Sequence, residues 1–366
     1  MQKCFFISTS WYDGPVPSQF KALGKALASR GHKVVMLTGQ RKGVDSHDTN
    51  PAVFTFPSRR PTTWRDAVFF ARLVRRFRPN CLITQDAAVN IMILVGFACR
   101  VPVRIAWHHT MSAAIDLDWR GSQLKRKFLR LRKRCVLKLA THIVAVSDAA
   151  REDVVEPFWV PGEKCLVFWN SLQDMAVQPA AESNDQVILC VGRLDRTKGQ
   201  DTLIRAGARI REKFPEVTLR FIGDGSIKDD LRNLAHEVKF GENCQFLGQL
   251  PHKEVLAQMA SAYVAVTPSR HEAFGLVVIE AMSLGTPVIG TKVGGIPEII
   301  RDGLDGFLVP PDDPQALAAK IIFLLENPAV QQEMANNARQ RFLDAFEQQK
   351  VISQQVEWLE GITGGL

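Results

Sequence analysis

Thr267-Pro268-Ser269-Arg270-His271-Glu272-Ala273-Phe274-Gly275-Leu276-Val277-Val278-Ile279-Glu280-Ala281-Met282 packs more chemistry into sixteen positions than any other part of this chain. An apolar run at 263–267 reads as a strand ending at Pro268, and the spacing predicts a helix from about Phe274 through Leu284. Gly285-Thr286-Pro287 then stops that helix and opens another strand at 287–290. A strand, a loop of polar and charged residues, a helix and a second strand make one turn of a parallel α/β sheet.

The same alternation runs through the rest of the chain. In the first half, residues 3–9, 33–38, 80–84, 103–107 and 142–146 read as strands; in the second, 187–191, 217–222, 263–267 and 287–290 do so. Helical periodicity fills most of the intervals, as in Phe20-Leu23-Leu27 and Leu231-Leu234-Val238. Short strands that are apolar on both faces predict parallel sheets covered by helices on each side. The 366 residues exceed one compact core and suit two doubly wound domains. Residues 175–186 carry no period and are expected to form the linker, giving domains at 1–178 and 179–345 and a terminal helix over 346–366.

Composition excludes several classes. With 46% apolar and 23% charged residues, the chain is neither disordered nor fibrous. Its longest nearly apolar stretch, Ala87 to Cys99, is too short to span a bilayer. Residues 1–8 read as a core strand rather than a signal peptide. The seven cysteines are scattered, which implies reduced structural thiols and a cytosolic setting. Charge is divided unevenly: residues 1–180 hold 27 Lys and Arg against 13 Asp and Glu, whereas the remainder holds 19 against 25. A basic half suits nucleic acid, an anionic membrane or a phosphorylated ligand. No nucleic-acid module or array of stacking aromatics accompanies it.

In open parallel sheets, ligands bind beyond the carboxyl ends of the strands, and the gap between two such domains is the expected site. Gly192-Arg193-Leu194-Asp195-Arg196-Thr197-Lys198-Gly199 follows the strand at 187–191 and brings two cations to that edge. Arginine offers a fork and lysine a point charge to phosphate oxygens; a solvated charged loop is the alternative. Gly223-Asp224-Gly225 follows the next strand, without a third glycine, and a tight turn explains it as well as a nucleotide does. Free N–H groups at the helix start near Phe274, Gly275 and Leu276 suit an anion. Glu272 sits before that helix and Glu280 about two turns inside it. Carboxylates suit hydroxyls of a sugar or ribose; a dipole-facing Glu and a surface Glu are the plainer reading. Gly14, in the loop after the first strand, leaves room for a phosphate, and His32 reads as structural.

These segments resemble glycosyltransferase family 4, retaining enzymes of the GT-B fold. The resemblance rests on Glu272 to Glu280 with Phe274-Gly275, then Gly285-Thr286-Pro287-Val288, Gly294-Gly295, Glu298 and Gly303-x-x-Gly306. Gly192-Arg193-Leu194-x-x-x-Lys198-Gly199 and Leu27-x-x-Arg30-Gly31-His32-x-Val34 extend it. It covers most of the chain and is most specific over 187–310. The implied fold is α/β, two Rossmann-like domains facing across a cleft, with the terminal helix crossing back to the first domain. The implied donor is a nucleotide sugar, UDP-linked in preference to GDP-mannose. Arg193 and Lys198 would hold its diphosphate, Glu272 the sugar hydroxyls and Glu280 the ribose. Phe274, Gly275 and Leu276 would offer backbone N–H groups, and Gly14, Gly192 and Gly223 would line the donor. The family also places a histidine of the first domain beside the sugar. Both His108 and His109 stand after the strand at 103–107, and the Trp-x-His-Thr pattern favours His109 as the catalytic one, with His108 in the donor site. First-domain loops of relatives often carry Gly-Gly where this chain has Asp13-Gly14-Pro15.

No metal or other cofactor is expected, since no His/Cys cluster with metal-ligand spacing occurs. Transfer of a hexose or N-acetylhexosamine to a glycan or lipid-linked acceptor, in surface polysaccharide or glycolipid assembly, is the activity implied. A sugar-nucleotide epimerase of the same fold, or a non-catalytic relative, is the alternative. Lys125-Arg126-Lys127-Phe128-Leu129-Arg130-Leu131-Arg132-Lys133-Arg134 carries seven cations, with Leu124, Phe128, Leu131, Cys135 and Leu139 at helical spacing. The segment 124–139 is therefore a basic amphipathic helix. It either docks on an anionic membrane from the cytoplasmic side or lays its apolar face on the core. Nucleic acid is not an expected partner.

Overall fold

The computed structural model describes residues 1–11, 14–39, 45–111, 122–175 and 186–365. The chain divides into two compact units, one of Met1–Ser112, Asp118–Gln173 and Gln348–Leu366, the other centred on Asp174–Glu347. Of the expected linker, residues 176–185 and with them the boundary at 178 lie outside the described residues.

The first unit runs β1 (Cys4–Ser8), α1 (Pro15–Ser29), β2 (Lys33–Thr38), β3 (Ala52–Thr55), α2 (Trp64–Phe77), β4 (Cys81–Thr84), α3 (Val89–Ala98), β5 (Val103–His108), α4 (Gln123–Leu139), β6 (His142–Ala145), α5 (Asp148–Phe158) and β7 (Cys165–Val167). Its seven strands are parallel, in the order β3-β2-β1-β4-β5-β6-β7. Phe5, Phe6 and Ile7 point alternately to opposite faces and all are fully buried, as a sheet covered on both sides requires. Right-handed crossovers put α1 on one face and α2 to α5 side by side on the other.

The second unit runs β8 (Val187–Val191), α6 (Gln200–Lys213), β9 (Thr218–Ile222), α7 (Lys228–Glu237), β10 (Cys244–Gly248), α8 (His252–Ala260), β11 (Val264–Thr267), α9 (Leu276–Ser283), β12 (Val288–Thr291), α10 (Ile296–Ile299), β13 (Gly306–Val309), α11 (Pro314–Glu326) and α12 (Pro328–Ala345). Its six strands, also parallel, follow the order β10-β9-β8-β11-β12-β13. A continuous core joins Ile188, Leu203, Phe221, Val264, Ile289 and Ile321.

Four strands escaped the sequence reading, β3, β7, β10 and β13, and these four are the two edges of each sheet. Edge strands are short and less deeply buried, so their apolar signal is weak. β3 has four residues behind Pro51, β7 has three, β10 alternates partly buried and exposed residues, and β13 opens on Gly306. All seven cysteines are free; Cys4, Cys81, Cys165 and Cys190 are buried in strands, whereas Cys135 is exposed.

The last helix, α13 (Gln348–Gly364), belongs to the first unit and packs against α1. Glu360 lies 2.7 Å from Arg30 and 3.0 Å from His32 Nε2, while the Lys3 amide donates to His32 Nδ1. His32 is structural. Val351, Ile352, Val356 and Leu359 supply the buried face. Because Leu359 is fully buried, Leu359→Ala is expected to cost ~2–5 kcal/mol in urea denaturation. A loss below ~0.5 kcal/mol would show that α13 is dispensable to that core.

Candidate functional site

The second sheet reverses its winding between β8 and β11: the chain leaves β8 toward β9 and leaves β11 toward β12. At such a switch point the two outgoing loops diverge and leave a crevice beyond the carboxyl ends. Lys198, on the loop after β8, and Glu272, on the loop after β11, meet there, with Nζ 2.6 Å from Oε2. Both side chains are largely buried.

Local chemistry explains how each loop holds its shape. The Asp195 carboxylate accepts from the Thr197 amide at 3.0 Å and from Thr197 Oγ1 at 2.5 Å, which closes a tight turn over 196–198. Arg193 lies 3.2 Å from the other Asp195 oxygen, and the Gln200 amide donates to the Arg193 carbonyl. The turn is fastened to the β11 loop because Arg270 N donates to the Thr197 carbonyl at 2.8 Å. The Arg270 guanidinium is held by Asp201 at 2.9 and 2.7 Å, by Asp312 at 2.6 Å and by the Arg196 carbonyl. Arg270 therefore braces the site.

Two glycines let further loops approach. Gly294, after β12, has φ 51°, and a Cβ there would overlap the Glu272 carbonyl oxygen, to which Gly295 N donates at 3.2 Å. Gly223, after β9, has φ 135°, and a Cβ would overlap the Gly192 carbonyl oxygen. Gly223 thus serves the contact between two loops of the protein itself. Backbone bonds Gly192 N to Ile222 O and Leu194 N to Asp224 O complete the seam.

Helix α9 begins at Leu276, two residues later than expected. Gly275 caps it at φ 117°, outside helical space, and the Phe274 ring turns into the core, edge-on to Phe346 at 6.1 Å. The N–H groups of Leu276 and Val277 open α9 without an acceptor in the helix, whereas those of Val278 and Ile279 donate to the Gly275 carbonyl. Glu280 is consequently little more than one turn inside α9, not two. Its buried carboxylate lies 3.0 Å from His252 Nε2, the first residue of α8. Sequence reasoning passed over His252, Asp195 and Arg270 as partners because no spacing rule links such distant positions.

In the first unit, the two histidines part company. His108 ends β5, is buried, and has Nε2 3.7 Å from the Asp153 carboxylate on α5. Burial lowers its pKa against the pull of Asp153. The His109 ring stands edge-on to Phe20 at 5.9 Å, and neither ring nitrogen has a hydrogen-bond partner among the described residues. Burial, and then the neighbouring His108, push the His109 pKa down to about 3. Gly14 caps α1 with φ 174°, extended backbone that any residue adopts. Tyr12 and Asp13 of the same loop lie outside the described residues.

The structure thus gathers Gly192, Arg193, Lys198, Gly223 and Glu272 at one sheet edge, from which α9 carries Gly275, Leu276 and Glu280. His108, His109 and Gly14 occupy the first unit.

His109 is expected to remain neutral from pH 8 to about 4 when its ring carbons are followed by NMR. An ordinary histidine midpoint near 6.5 would contradict this. Because the folded pKa lies below the unfolded one, the stability His109 contributes is present above about pH 6.5 and is lost as pH falls toward about 3.

Residues 17–172 match the family model for glycosyltransferase family 4, and residues 173–341 the model for glycosyl transferases group 1. A glycogen synthase of Mycobacterium tuberculosis is 29% identical over 364 residues, covering 90% of this chain and 87% of that protein. Among solved structures, sucrose-phosphate synthase from Thermosynechococcus elongatus superposes with TM-score 0.80 at 22% identity, over 100% of both chains. HepE from Anabaena, in complex with UDP, superposes with TM-score 0.78 at 20% identity, over 98% of this chain and 100% of its own. The two models together with these GT-B neighbours place the protein in glycosyltransferase family 4, as a glycosyltransferase built from two Rossmann-like α/β domains.

Proposed function

We propose that the protein is a retaining glycosyltransferase that moves a hexose or N-acetylhexosamine from a nucleoside-diphosphate sugar to a glycan or lipid-linked acceptor. The observation that carries this reading is the Lys198–Glu272 contact at the switch point of the second sheet. A lysine held beside a carboxylate is oriented to meet a diphosphate oxygen, while the carboxylate's second oxygen accepts from a sugar hydroxyl. Arg193, with its side chain mostly exposed, would close on the same diphosphate. The α9 N-terminus and its capping glycine support an anion there. Glu280, with His252 against one carboxylate oxygen, would use its other oxygen for the ribose.

The sugar's anomeric carbon parts from the phosphate oxygen while the acceptor oxygen bonds to it from the same face. The acceptor hydroxyl's proton passes to the departing phosphate, and the electron pair of the broken bond stays on that phosphate. Arg193 and Lys198 would stabilise the charge that develops, in place of a metal ion. His109, whose two ring nitrogens have no hydrogen-bond partner among the described residues, is the better candidate of the two histidines for a hydrogen bond to the donor sugar; His108 Nε2 faces the Asp153 carboxylate at 3.7 Å. Uridine is the preferred base, in keeping with the UDP bound by HepE, and GDP-mannose is the second candidate. Surface polysaccharide or glycolipid assembly on the cytoplasmic side of a membrane fits such an acceptor. Among the described residues no helix is long and apolar enough to cross a membrane.

Glu272→Ala and Lys198→Ala should each lower turnover of a UDP-sugar by a factor of ~100 or more, the scale of losing a transition-state contact. Wild-type rates in both variants would refute the assignment. The product's anomeric proton coupling should match the donor's, and inversion would overturn the same-face step. Chelation with EDTA should leave the rate unchanged; loss of activity restored by a divalent cation would contradict metal independence.

A further inference from the structure

Twelve large apolar side chains stand exposed among the described residues, and eight of them lie on α2, α3, α4 and the residue closing α5. These four helices form one layer on a single face of the first sheet. Exposed apolar residues scattered singly need no explanation, but a concentration on one helix layer does.

Helix α4 is the centre of the pattern. Leu124, Phe128 and Leu131 recur at four- and three-residue steps and so share one stripe. That stripe is 78%, 63% and 58% exposed, respectively, so it faces outward instead of covering the core. Only Val136 and Leu137, near the end of the helix, are buried. Helix α4 carries eight Lys and Arg and no acidic residue, and all but Lys133, which packs over the Phe158 ring, are left for the surface around the stripe. Helix α2 adds Arg65, Arg72, Arg75 and Arg76, and its one carboxylate, Asp66, is buried and fastened to Ser58, Thr62 and Thr63. Trp159 stands beside α4, mostly exposed, with the Arg134 guanidinium 4.7 Å from its ring.

Cations alone would fit any polyanion, and an apolar stripe alone would fit another protein. A helix that bears both, with an exposed tryptophan at its flank, matches the headgroup region of an anionic bilayer. Phosphates there meet the lysines and arginines, and the acyl boundary takes the leucines and phenylalanine. We propose that the first unit docks on anionic lipid through α2, α3 and α4, with α4 lying in the plane of the interface. Lipid contact deepens the acceptor half of the function proposed above, since a lipid-linked acceptor is presented at such a surface.

Flotation with vesicles of phosphatidylcholine, alone or mixed with phosphatidylglycerol, tests the proposal without any transfer reaction. The mixed vesicles should carry up at least about tenfold more protein, and added salt should weaken the binding. The surface variants L124S/F128S/L131S and K125E/R132E should each lose most of it while keeping the wild-type circular dichroism and the UDP-induced rise in melting temperature. Equal flotation with both vesicle types, or a triple apolar variant that floats like the wild type, would overturn the proposal. So would a concentration-dependent dimer, abolished by L124S/F128S/L131S, in a protein that does not float. A protein that floats but does not bind UDP would contradict the donor reading and leave the lipid surface standing.

Discussion

The contact between Lys198 and Glu272 joins two loops that the sheet topology alone would send apart. Three features of the second unit's edge serve that meeting. The Asp195 turn delivers Lys198, Arg270 ties the turn to the β11 loop, and Gly294 lets the β12 loop press on the Glu272 backbone. Removing one partner of a largely buried ion pair leaves the other charge poorly solvated. The pair is therefore both a constraint on the loops and a set of charges held ready for a polar ligand. A ligand that brings phosphate to the lysine and hydroxyl to the carboxylate satisfies both without dismantling the frame.

The first unit is organised differently. Its sheet carries an uncharged, half-buried histidine just beyond β5 with both ring nitrogens shielded, while the adjacent histidine is buried and faces Asp153 at 3.7 Å. An imidazole held neutral across the working pH range can donate from one nitrogen and accept at the other. Its outer helix layer differs again from the C-terminal helix on the opposite face. There α13 buries its apolar side chains against α1, whereas α4 leaves three in solvent amid its cations.

Much of this was legible in the sequence, for a physical reason. Strands buried on both faces are short apolar runs between turn residues, and residues 33–38 and 187–191 read with their observed bounds. Edge strands lack that signature, so β3, β7, β10 and β13 give no strand reading. The start of α9 was misjudged because helical spacing cannot see that Gly275 leaves helical space or that Phe274 turns inward. Lys198 and Glu272 were chosen for their chemistry and their place after strands, and the fold joins them. Their supports were not readable, since the bonds of Arg270 to Asp201 and of His252 to Glu280 link positions on separate elements. The stripe on α4 was visible, but its direction was not: periodicity defines a face and leaves open what that face meets.

The most direct test of the account is hydrogen exchange of the full chain with and without UDP. Slowed exchange confined in the second unit to residues 192–199, 223–227, 268–277 and 292–295 is the expected result, because the ligand would hold these loops closed together. Protection that bypasses both the Lys198 and the Glu272 loops would contradict the assignment of this edge as the donor site.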